Sequence, residues 1–303
     1  MTTALIFPGQ GAQYVGMAMD LAEACPAAAA LLTQANEVLG FDLARIMREG
    51  PEAELTRTDI SQPAILVASL MAKAWLDQKQ GDVGAVAAAG LSLGEYTALV
   101  AAGTLDVADA IRLVRLRGEA MQDAAEAVPS GMVALIGADE AAAQKLCDLA
   151  AEGEVLQVAN LNATGQVVIS GAKAACDRAL AKAKDAGIRR ATALPVAGAF
   201  HSALMAPAAE RLKAAIAGVS LKDPHIPVYT NVHAGPVRSA AEVPALLVRQ
   251  LTQPVRWADS VIRMQQDGIT TFWELGPNKH LSGMIARTVK DVTCRNVDKV
   301  GDL

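Results

Sequence analysis

The sequence predicts an α/β protein in which a larger domain, built on a mainly parallel sheet, is interrupted by a small ferredoxin-like domain. Two observations predict this fold. Short apolar strands alternate with amphipathic helices from the start of the chain, and a single βαββαβ order lies between about residues 129 and 196. The length of 303 residues suits two domains. We expect residues 1–128 and 197–303 to form the larger domain and residues 129–196 the smaller one.

Each element of the larger domain follows from hydrophobic periodicity and from glycine or proline at its ends. The predicted elements, in order, are a buried strand at Ala4–Phe7, helices near 26–39 and 62–79, a strand at Val83–Ala89, helices at Leu93–Ala102 and about 106–126, and strands at Val228–Val232 and Thr270–Leu275.

The small domain has its own sequence of elements, bounded by Pro129-Ser130-Gly131 and by Pro195 with Gly198 as hinges. They are a strand at Met132–Ile136, a helix at Asp139–Ala151, strands at Val155–Leu161 and Gln166–Ser170 around a turn at Asn162–Gly165, a helix at Ala172–Ala186 and a strand at Arg190–Val196.

Composition and charge exclude several classes of function. The net charge of −5 argues against a nucleic-acid-binding face and against a binder of anionic membranes. The four cysteines have no metal-ligand spacing, so we expect no metal site. The N-terminal apolar run stops at Pro8, and no later run is long enough to span a membrane. We therefore expect a cytoplasmic protein.

The sharpest chemical motif is Gly90-Leu91-Ser92-Leu93-Gly94, a G-x-S-x-G pattern between a predicted strand and a predicted helix. Glycines permit a tight strand-to-helix turn that exposes the serine oxygen, and the N–H after the serine points at a developing oxyanion. The motif therefore favours Ser92 as a nucleophile. A glycine-rich turn with a helix-capping serine is the alternative.

A nucleophilic serine needs a base, and the chain has four histidines. His225 lies in a loop, His233 in a turn and His280 at a helix start, which are typical surface positions. His201 follows a strand end, where sites of α/β proteins form, and small residues flank it. His201 is therefore the candidate base.

Arg117 falls within the apolar arc of its predicted helix, three residues after Val114 and four before Met121. A guanidinium pointed inward needs an anionic partner or dense hydrogen bonding. It could capture a substrate carboxylate, or it could form an internal salt bridge.

The loop Gly9-Gln10-Gly11 follows the first strand but is not a dinucleotide site, because the third glycine position of that fingerprint is Tyr14. A loop that brings Gln10 to a neighbouring strand end is the better interpretation, with a plain turn as the alternative.

Together these motifs closely resemble the malonyl-CoA:acyl carrier protein transacylase family of fatty acid synthesis, from about residue 3 to 290. Eight motifs agree in order and spacing. They are Phe7-Pro8-Gly9-Gln10-Gly11-Ala12-Gln13, Gln62-Pro63-Ala64, Gly90-Leu91-Ser92-Leu93-Gly94-Glu95-Tyr96, Arg117-Gly118, Asn160-Leu161-Asn162, Gly198-Ala199-Phe200-His201-Ser202, Gln250–Trp257 and Glu274-Leu275-Gly276-Pro277.

The resemblance implies an α/β-hydrolase-like larger subdomain and a site in the cleft beside the small one. By resemblance, Ser92 attacks malonyl-CoA, His201 takes and returns the proton, and the Gln250 main-chain carbonyl orients the imidazole. The N–H groups of Gln10 and Leu93 would form the oxyanion hole.

Four residues are expected from the same resemblance to bind substrate: Arg117, which would pair with the malonyl carboxylate, Phe200, Met121 and Asn162. Coenzyme A is then a substrate, and no cofactor is implied. Leu91 stands where many relatives have histidine, which bears on fine specificity and rate.

The expected partner is an acidic acyl carrier protein, and a monomer is expected. Candidates for a basic docking patch near the cleft rim are Arg189, Arg190, Lys182 and Lys184, with a solvated helix face as the alternative. Arg287 and Lys290 are weaker candidates. Alternative functions are an acyltransferase of a polyketide or malonate decarboxylase pathway, a serine thioesterase or other hydrolase, and a non-catalytic carrier-protein docking module.

Overall fold

The computed structural model describes residues 2–303 and contains two β-sheets with helices packed on them. One sheet has six strands in the order β10-β9-β1-β2-β7-β8, and the other has four in the order β4-β5-β3-β6. The strands are β1 (Thr3–Phe7), β2 (Ala85–Gly90), β3 (Ser130–Ile136), β4 (Leu156–Ala163), β5 (Gln166–Ala172), β6 (Arg190–Ala193), β7 (Val228–Tyr229), β8 (Pro236–Val237), β9 (Thr271–Leu275) and β10 (Thr293–Val297).

Helices alternate with these strands along the chain. They are α1 (Met19–Ala24), α2 (Pro26–Leu39), α3 (Leu43–Glu49), α4 (Glu52–Leu55), α5 (Thr58–Gln80), α6 (Gly94–Ala101), α7 (Val107–Ala127), α8 (Glu140–Ala151), α9 (Lys173–Lys182), α10 (Ala206–Ile216), α11 (Val243–Gln250), α12 (Trp257–Gln266) and α13 (His280–Thr288).

The central strands β1 and β9 of the six-stranded sheet are buried on both faces, as strands of parallel sheets are. Strands β10, β9, β1, β2 and β7 pair in parallel, and only β8 is antiparallel to its neighbour. Alternate residues of β1 enter different cores: Leu5 and Phe7 pack with the long helices α5 and α7, whereas Ala4 and Ile6 pack with α12 and α13. The predicted α/β class with a parallel sheet is confirmed.

The four-stranded sheet is entirely antiparallel and has the βαββαβ order of the ferredoxin-like prediction. Helices α8 and α9 cover one face, where Val133, Val158 and Ile169 are buried against them. The opposite face, with Met132 and Val168, looks toward the parallel sheet and lines a cavity. The separate antiparallel sheet agrees with the expected small subdomain. Its exact boundaries at residues 129 and 196 stay our proposal.

Main-chain hydrogen bonds tie the edge strand β4 to the segment before α12. The Leu161 N–H donates to the Val255 carbonyl at 2.9 Å, and the Val255 N–H donates to the Ala159 carbonyl at 2.8 Å. These bonds fix the small sheet beside the parallel one.

Three predicted elements have different bounds for identifiable reasons. The turn expected at Asn162–Gly165 is shorter, because Ala163 still pairs with Gln166 and Asn162 therefore lies in β4. Strand β6 ends before Pro195, which has no N–H to donate. Strand β7 ends at Tyr229, because the N–H of Asn231 donates to a side chain instead of a neighbouring strand.

Among the described helices, none has the length and apolar character needed to cross a membrane.

Candidate active site

A cavity of about 520 Å³ lies between the two sheets, at the carboxyl ends of β1 and β2. Open parallel sheets form ligand sites at these ends of their strands. Its lining includes six of the residues singled out from the sequence: Gln10, Ser92, Met121, Asn162, Phe200 and His201.

Ser92 lies on the sharp turn between β2 and α6. Its φ of 51° is in the left-handed region, as expected for a strained serine turn. The turn lies so tightly against β1 that a Cβ on Gly94 would overlap the Phe7 carbonyl oxygen, and a Cβ on Gly9 would overlap that of Leu91. Glycine at both positions therefore lets the Gln10 loop approach the serine.

His201 is within hydrogen-bond distance of the serine and is almost fully buried. Its Nε2 is 2.9 Å from Ser92 Oγ, and its Nδ1 is 2.7 Å from the main-chain carbonyl oxygen of Gln250. Because a carbonyl oxygen only accepts hydrogen bonds, Nδ1 carries the proton and Nε2 is left to accept from the serine hydroxyl.

Arg117 lies beneath the serine and is 1 % exposed. It donates from NH1 to Gln62 Oε1 at 2.7 Å, and from NH2 to Gln250 Oε1 and Ser92 Oγ, both at 2.9 Å. Its Nε–H has no partner within residues 2–303. The alternative of a direct internal salt bridge is wrong, since these partners are amides and a hydroxyl.

The close approach of α5 and α7 brings Arg117 and Gln62 together. Gly118 makes it possible, because a Cβ there would be 2.5 Å from the Thr58 carbonyl oxygen. The Arg117-Gly118 pair thus combines an inward guanidinium with the glycine that lets its helix come close enough.

Burial and the arginine charge both act on the imidazole. Burial, with a further contribution from the positive charge of Arg117, lowers the pKa of His201 to about 4. At neutral pH the imidazole is therefore uncharged, which is the form that can accept the serine proton. Burial also lowers the pKa of Arg117 from its ordinary value, partly offset by Tyr96 and Glu95.

Two buried residues that the sequence analysis assigned no role complete a polar network behind the serine. Asn231 Oδ1 accepts from the Ser92 N–H at 2.6 Å, and its Nδ2 donates to the Gly90 carbonyl at 2.7 Å. Glu95 Oε2 accepts from the Asn231 N–H at 2.7 Å and from Gln250 Nε2 at 3.0 Å. Burial raises the pKa of Glu95 to about 7, against the opposing effects of these hydrogen bonds and Arg117.

A sequence signal existed for one of these residues, since Glu95 directly follows the serine motif inside an apolar helix start. Asn231 lay within the predicted strand Val228–Val232, and only the structure shows that this strand ends before it. Asparagine at the end of a strand next to the nucleophile's strand is well placed to reach that site.

Gln10 lies in the loop after β1, and Leu93 directly follows Ser92 in the serine turn. Neither donates to another group within residues 2–303, whereas the Ser92 N–H is engaged by Asn231. Two N–H groups near the nucleophile thus remain available to an oxyanion.

The other candidate residues lie on the cavity wall. Met121 is 1 % exposed and its sulfur accepts from Gln62 Nε2 at 3.5 Å; Phe200 is 5 % exposed. Asn162 has an Oδ1 without a partner in the described chain. Leu91 adds an apolar contact, and the exposed His280 at the start of α13 also borders the cavity.

The basic docking patch stays a prediction, and the structure bears on one of its members, Lys182. Helix α9, which carries Lys182, covers the face of the small sheet that looks away from the cavity. Lys182 also forms an ion pair with Glu152 at 2.9 Å. The helix periodicity alone did not indicate which sheet face α9 covers.

The arrangement has the parts of a nucleophilic acyl-transfer site: a serine, a neutral imidazole oriented by a carbonyl, free N–H groups and a buried cation. Within residues 2–303, no group of three or more His, Cys, Asp or Glu side chains is arranged to hold a metal ion.

Comparisons with known proteins agree with this geometry. The family model described as "Acyl transferase domain" matches residues 4–301. The malonyl CoA-acyl carrier protein transacylase of Haemophilus influenzae is 44 % identical over 297 residues, covering 98 % of this chain and 95 % of that protein. The enzyme of the same name from Escherichia coli K12 is 44 % identical over 294 residues, covering 96 % of this chain and 94 % of its own.

Solved structures show the same similarity. The malonyl CoA-acyl carrier protein transacylase of Coxiella burnetii superposes with a TM-score of 0.96 at 38 % identity, over 100 % of this chain and 95 % of that one. A malonyl-transacylase solved in complex with a type II PKS acyl-carrier protein superposes with a TM-score of 0.94 at 40 % identity, over 100 % of this chain and 97 % of that one.

Proposed function

The chain belongs to the acyl transferase family, as its motifs predicted, and we propose that it transfers the malonyl group of malonyl-CoA to the phosphopantetheine thiol of an acyl carrier protein. The chain is an acyltransferase of the malonyl-CoA:acyl carrier protein transacylase type. The chemical route through this site and its residues is what we propose.

The first half-reaction acylates the serine. Ser92 Oγ attacks the malonyl thioester carbonyl while His201 Nε2 accepts the hydroxyl proton. The N–H groups of Gln10 and Leu93 stabilise the tetrahedral oxyanion. The C–S bond then breaks, the imidazolium returns its proton to the coenzyme A thiolate, and the malonyl ester of Ser92 remains.

The second half-reaction runs the same steps in reverse with a different thiol. The carrier's phosphopantetheine thiol gives its proton to His201 and attacks the malonyl ester. The ester C–O bond breaks, and Ser92 recovers the proton. The Ser92–His201 dyad serves both halves, and the carbonyl of Gln250 holds the ring in one tautomer.

Arg117 carries the substrate preference, and its environment is the observation on which the proposal depends most. The guanidinium touches the nucleophile oxygen, is fully desolvated and is held by neutral amides. No carboxylate contacts it and its Nε–H has no partner within residues 2–303, so it can receive an acyl group that ends in a carboxylate. A simple esterase or thioesterase has no use for such a cation.

The apolar wall completes the pocket for the short acyl group. Phe200 and Met121 bound the acyl end of the cavity, and the amide of Asn162 is positioned to contact the pantetheine arm or the acyl carbonyl. Leu91 leaves this side of the pocket apolar. A larger α-substituent on the acyl group would collide with Phe200.

An acyl carrier protein from a polyketide pathway is the second candidate acceptor. It is favoured by one observation, the similarity to the malonyl-transacylase solved with a type II PKS acyl-carrier protein. Side-by-side transfer from the malonyl-enzyme to holo carrier proteins of the two pathways, measured as initial rates, distinguishes the two acceptors.

Intact-protein mass after brief incubation with malonyl-CoA tests the proposal. We expect a malonyl adduct on the wild type, a much weaker adduct with acetyl-CoA, and no adduct on Ser92→Ala. Adding holo acyl carrier protein should discharge the adduct onto the carrier. Free malonate in place of an adduct would instead indicate a hydrolase, and the absence of adduct and turnover would leave a docking module.

A further inference from the structure

Glu95 is a buried carboxylate directly behind the nucleophile turn, and no step of the proposed transfer uses it. It lies in the first turn of α6 and is 1 % exposed. Within residues 2–303 it makes no ion pair. Burying a carboxylate without a cation in contact costs free energy. We therefore ask what the Glu95 carboxylate does for the neighbouring site.

One arm of the network runs from Glu95 to Gln250. The amide of Gln250 has a donor end and an acceptor end, and it could be inserted in two orientations. Glu95 Oε2 accepts from Gln250 Nε2 at 3.0 Å, so the amide oxygen faces Arg117 NH2 at 2.9 Å. The reverse orientation would set the amide oxygen against the carboxylate and the amide N–H groups against the guanidinium. The Ser92 carbonyl oxygen and Asn231 Oδ1 also accept from Nε2, at 3.1 Å and 3.2 Å. The carboxylate is thus the charged member of three acceptors that together select the orientation that holds Arg117.

The other arm runs from Glu95 to the nucleophile. Oε2 also accepts from the Asn231 N–H at 2.7 Å. The side chain of Asn231 in turn bonds the N–H of Ser92 and the carbonyl of Gly90. The carboxylate thus fixes the residue that clamps both ends of the strained serine turn.

From these contacts we propose that Glu95 is a positioning residue for acyl transfer, acting through Gln250 on Arg117 and through Asn231 on the Ser92 turn. The proposal rests on the proposed malonyl transfer. Glu95 holds Arg117 in place without contacting it. The charge of Arg117 is therefore balanced nearby, while no carboxylate of the protein occupies the N–H groups that would bind substrate.

A purely structural role makes different predictions. If Glu95 only supported the fold, its replacement would slow malonyl and acetyl transfer by the same factor and would act independently of Gln250. If Glu95 orients the Gln250 amide, replacing Glu95 should reduce malonyl transfer more than acetyl transfer, because malonyl is the substrate that needs Arg117. Most of this reduction should be absent in a variant that already lacks the Gln250 amide.

The experiment is a double-mutant cycle with Glu95→Ala and Gln250→Ala, measuring kcat/KM for serine acylation by malonyl-CoA and by acetyl-CoA. Gln250→Ala keeps the main-chain carbonyl that orients His201. The matched control is Glu119→Ala, a half-exposed glutamate whose partner is Arg115 on the outer side of α7.

For Glu95→Ala we expect malonyl kcat/KM to fall about 10- to 100-fold, the range of one charge-assisted hydrogen bond. The malonyl-to-acetyl ratio should fall at least about fivefold, and in the Gln250→Ala background the loss of malonyl kcat/KM should shrink to about threefold or less. Glu119→Ala should match the wild type.

Equal losses in both backgrounds, or an unchanged malonyl-to-acetyl ratio, would overturn the proposal. If Glu95→Ala does not fold, Glu95→Asp replaces it, because the carboxylate is then one methylene too short to reach both partners and the same two comparisons apply. If the wild type itself takes no malonyl group, the proposed function fails and this proposal with it; if it does and the variants match it, only the role of Glu95 is refuted.

Discussion

Replacing Arg117 with glutamine tests the origin of malonyl selectivity. The change removes the charge and the guanidinium N–H groups from a site that is 1 % exposed. It also breaks the contacts to Gln62, Gln250 and Ser92. Those losses affect acylation by any thioester, so they cancel in the ratio of kcat/KM for malonyl-CoA to kcat/KM for acetyl-CoA. The ratio therefore isolates the contribution of the substrate carboxylate.

The expected magnitude follows from the donors that Arg117 keeps free. A carboxylate that receives two hydrogen bonds from a buried cation gains about 1.5–3 kcal/mol from each. After desolvation we expect a net loss of about 3–4 kcal/mol in Arg117→Gln, which lowers the malonyl-to-acetyl ratio roughly 100- to 1000-fold. Arg117→Lys, which keeps the charge but not the fork of donors, should give an intermediate ratio.

The assay is the rate of adduct formation on Ser92, followed by intact-protein mass with each coenzyme A thioester in turn. Arg112→Gln is the matched control, because this arginine lies on the same helix but is 61 % exposed and pairs with Asp109. A ratio within threefold of the wild type in Arg117→Gln would refute the assignment of Arg117 to the carboxylate.

Three further outcomes test the packing and the electrostatics around the site. Gly94→Ala should prevent folding or sharply lower the melting temperature in a thermal scan, because the added Cβ would overlap the Phe7 carbonyl oxygen. The control is Gly283→Ala in α13, where an added Cβ meets no atom; it should stabilise the folded protein by about 0.5–1 kcal/mol. Asn231→Ala should cost about 2–4 kcal/mol in urea unfolding, since it leaves a buried N–H and a buried carbonyl of the serine turn without partners. Burial raises the pKa of Glu95 to about 7 in the fold, above its ordinary 4.5, so the folded state binds the extra proton and loses stability as pH rises from about 4.5 to 7. In denaturant titrations the wild type should therefore lose about 2 kcal/mol of unfolding free energy between pH 5 and 7 relative to Glu95→Gln. A difference that does not change with pH would contradict the burial effect.

His201 shifts stability in the opposite direction. Because burial lowers its pKa to about 4, the unfolded chain binds the extra proton between about pH 4 and 6.5, and stability rises with pH across that range. The two buried groups therefore nearly cancel in the wild type between about pH 4.5 and 6.5. Removing Glu95 should unmask the rising contribution of His201.

The sequence was sufficient for the parts of the fold and site that depend on local pattern. Alternating strands and helices predicted the parallel sheet, and the βαββαβ order predicted the antiparallel one. Ser92 and His201 were candidates because each stands at a strand end, and Arg117 because it interrupts an apolar arc. Each of these signals lies within a few residues of the position it identifies.

The network behind the serine could not be predicted in the same way, because its contacts join distant segments. Glu95 and Asn231 are 136 positions apart, and Glu95 and Gln250 are 155 apart. Nothing near Asn231 in the sequence indicates that its N–H leaves the strand ladder for a side chain. The sheet face that α9 covers was likewise not indicated, because the spacing of its apolar residues does not say which face they contact.

The partners of Arg117 explain how a buried cation can serve a substrate. A carboxylate in direct contact with the guanidinium would satisfy its charge, and malonyl would have to displace it. Amide oxygens from Gln62 and Gln250 orient the guanidinium without neutralising it. The balancing negative charge is on Glu95, which does not contact Arg117. The side-chain amide of Gln250 lies between them, with its oxygen accepting from Arg117 and its N–H donating to the Glu95 carboxylate. Selectivity for a carboxylate thus depends on keeping the protein's own carboxylate close enough to offset burial and too far to occupy the site.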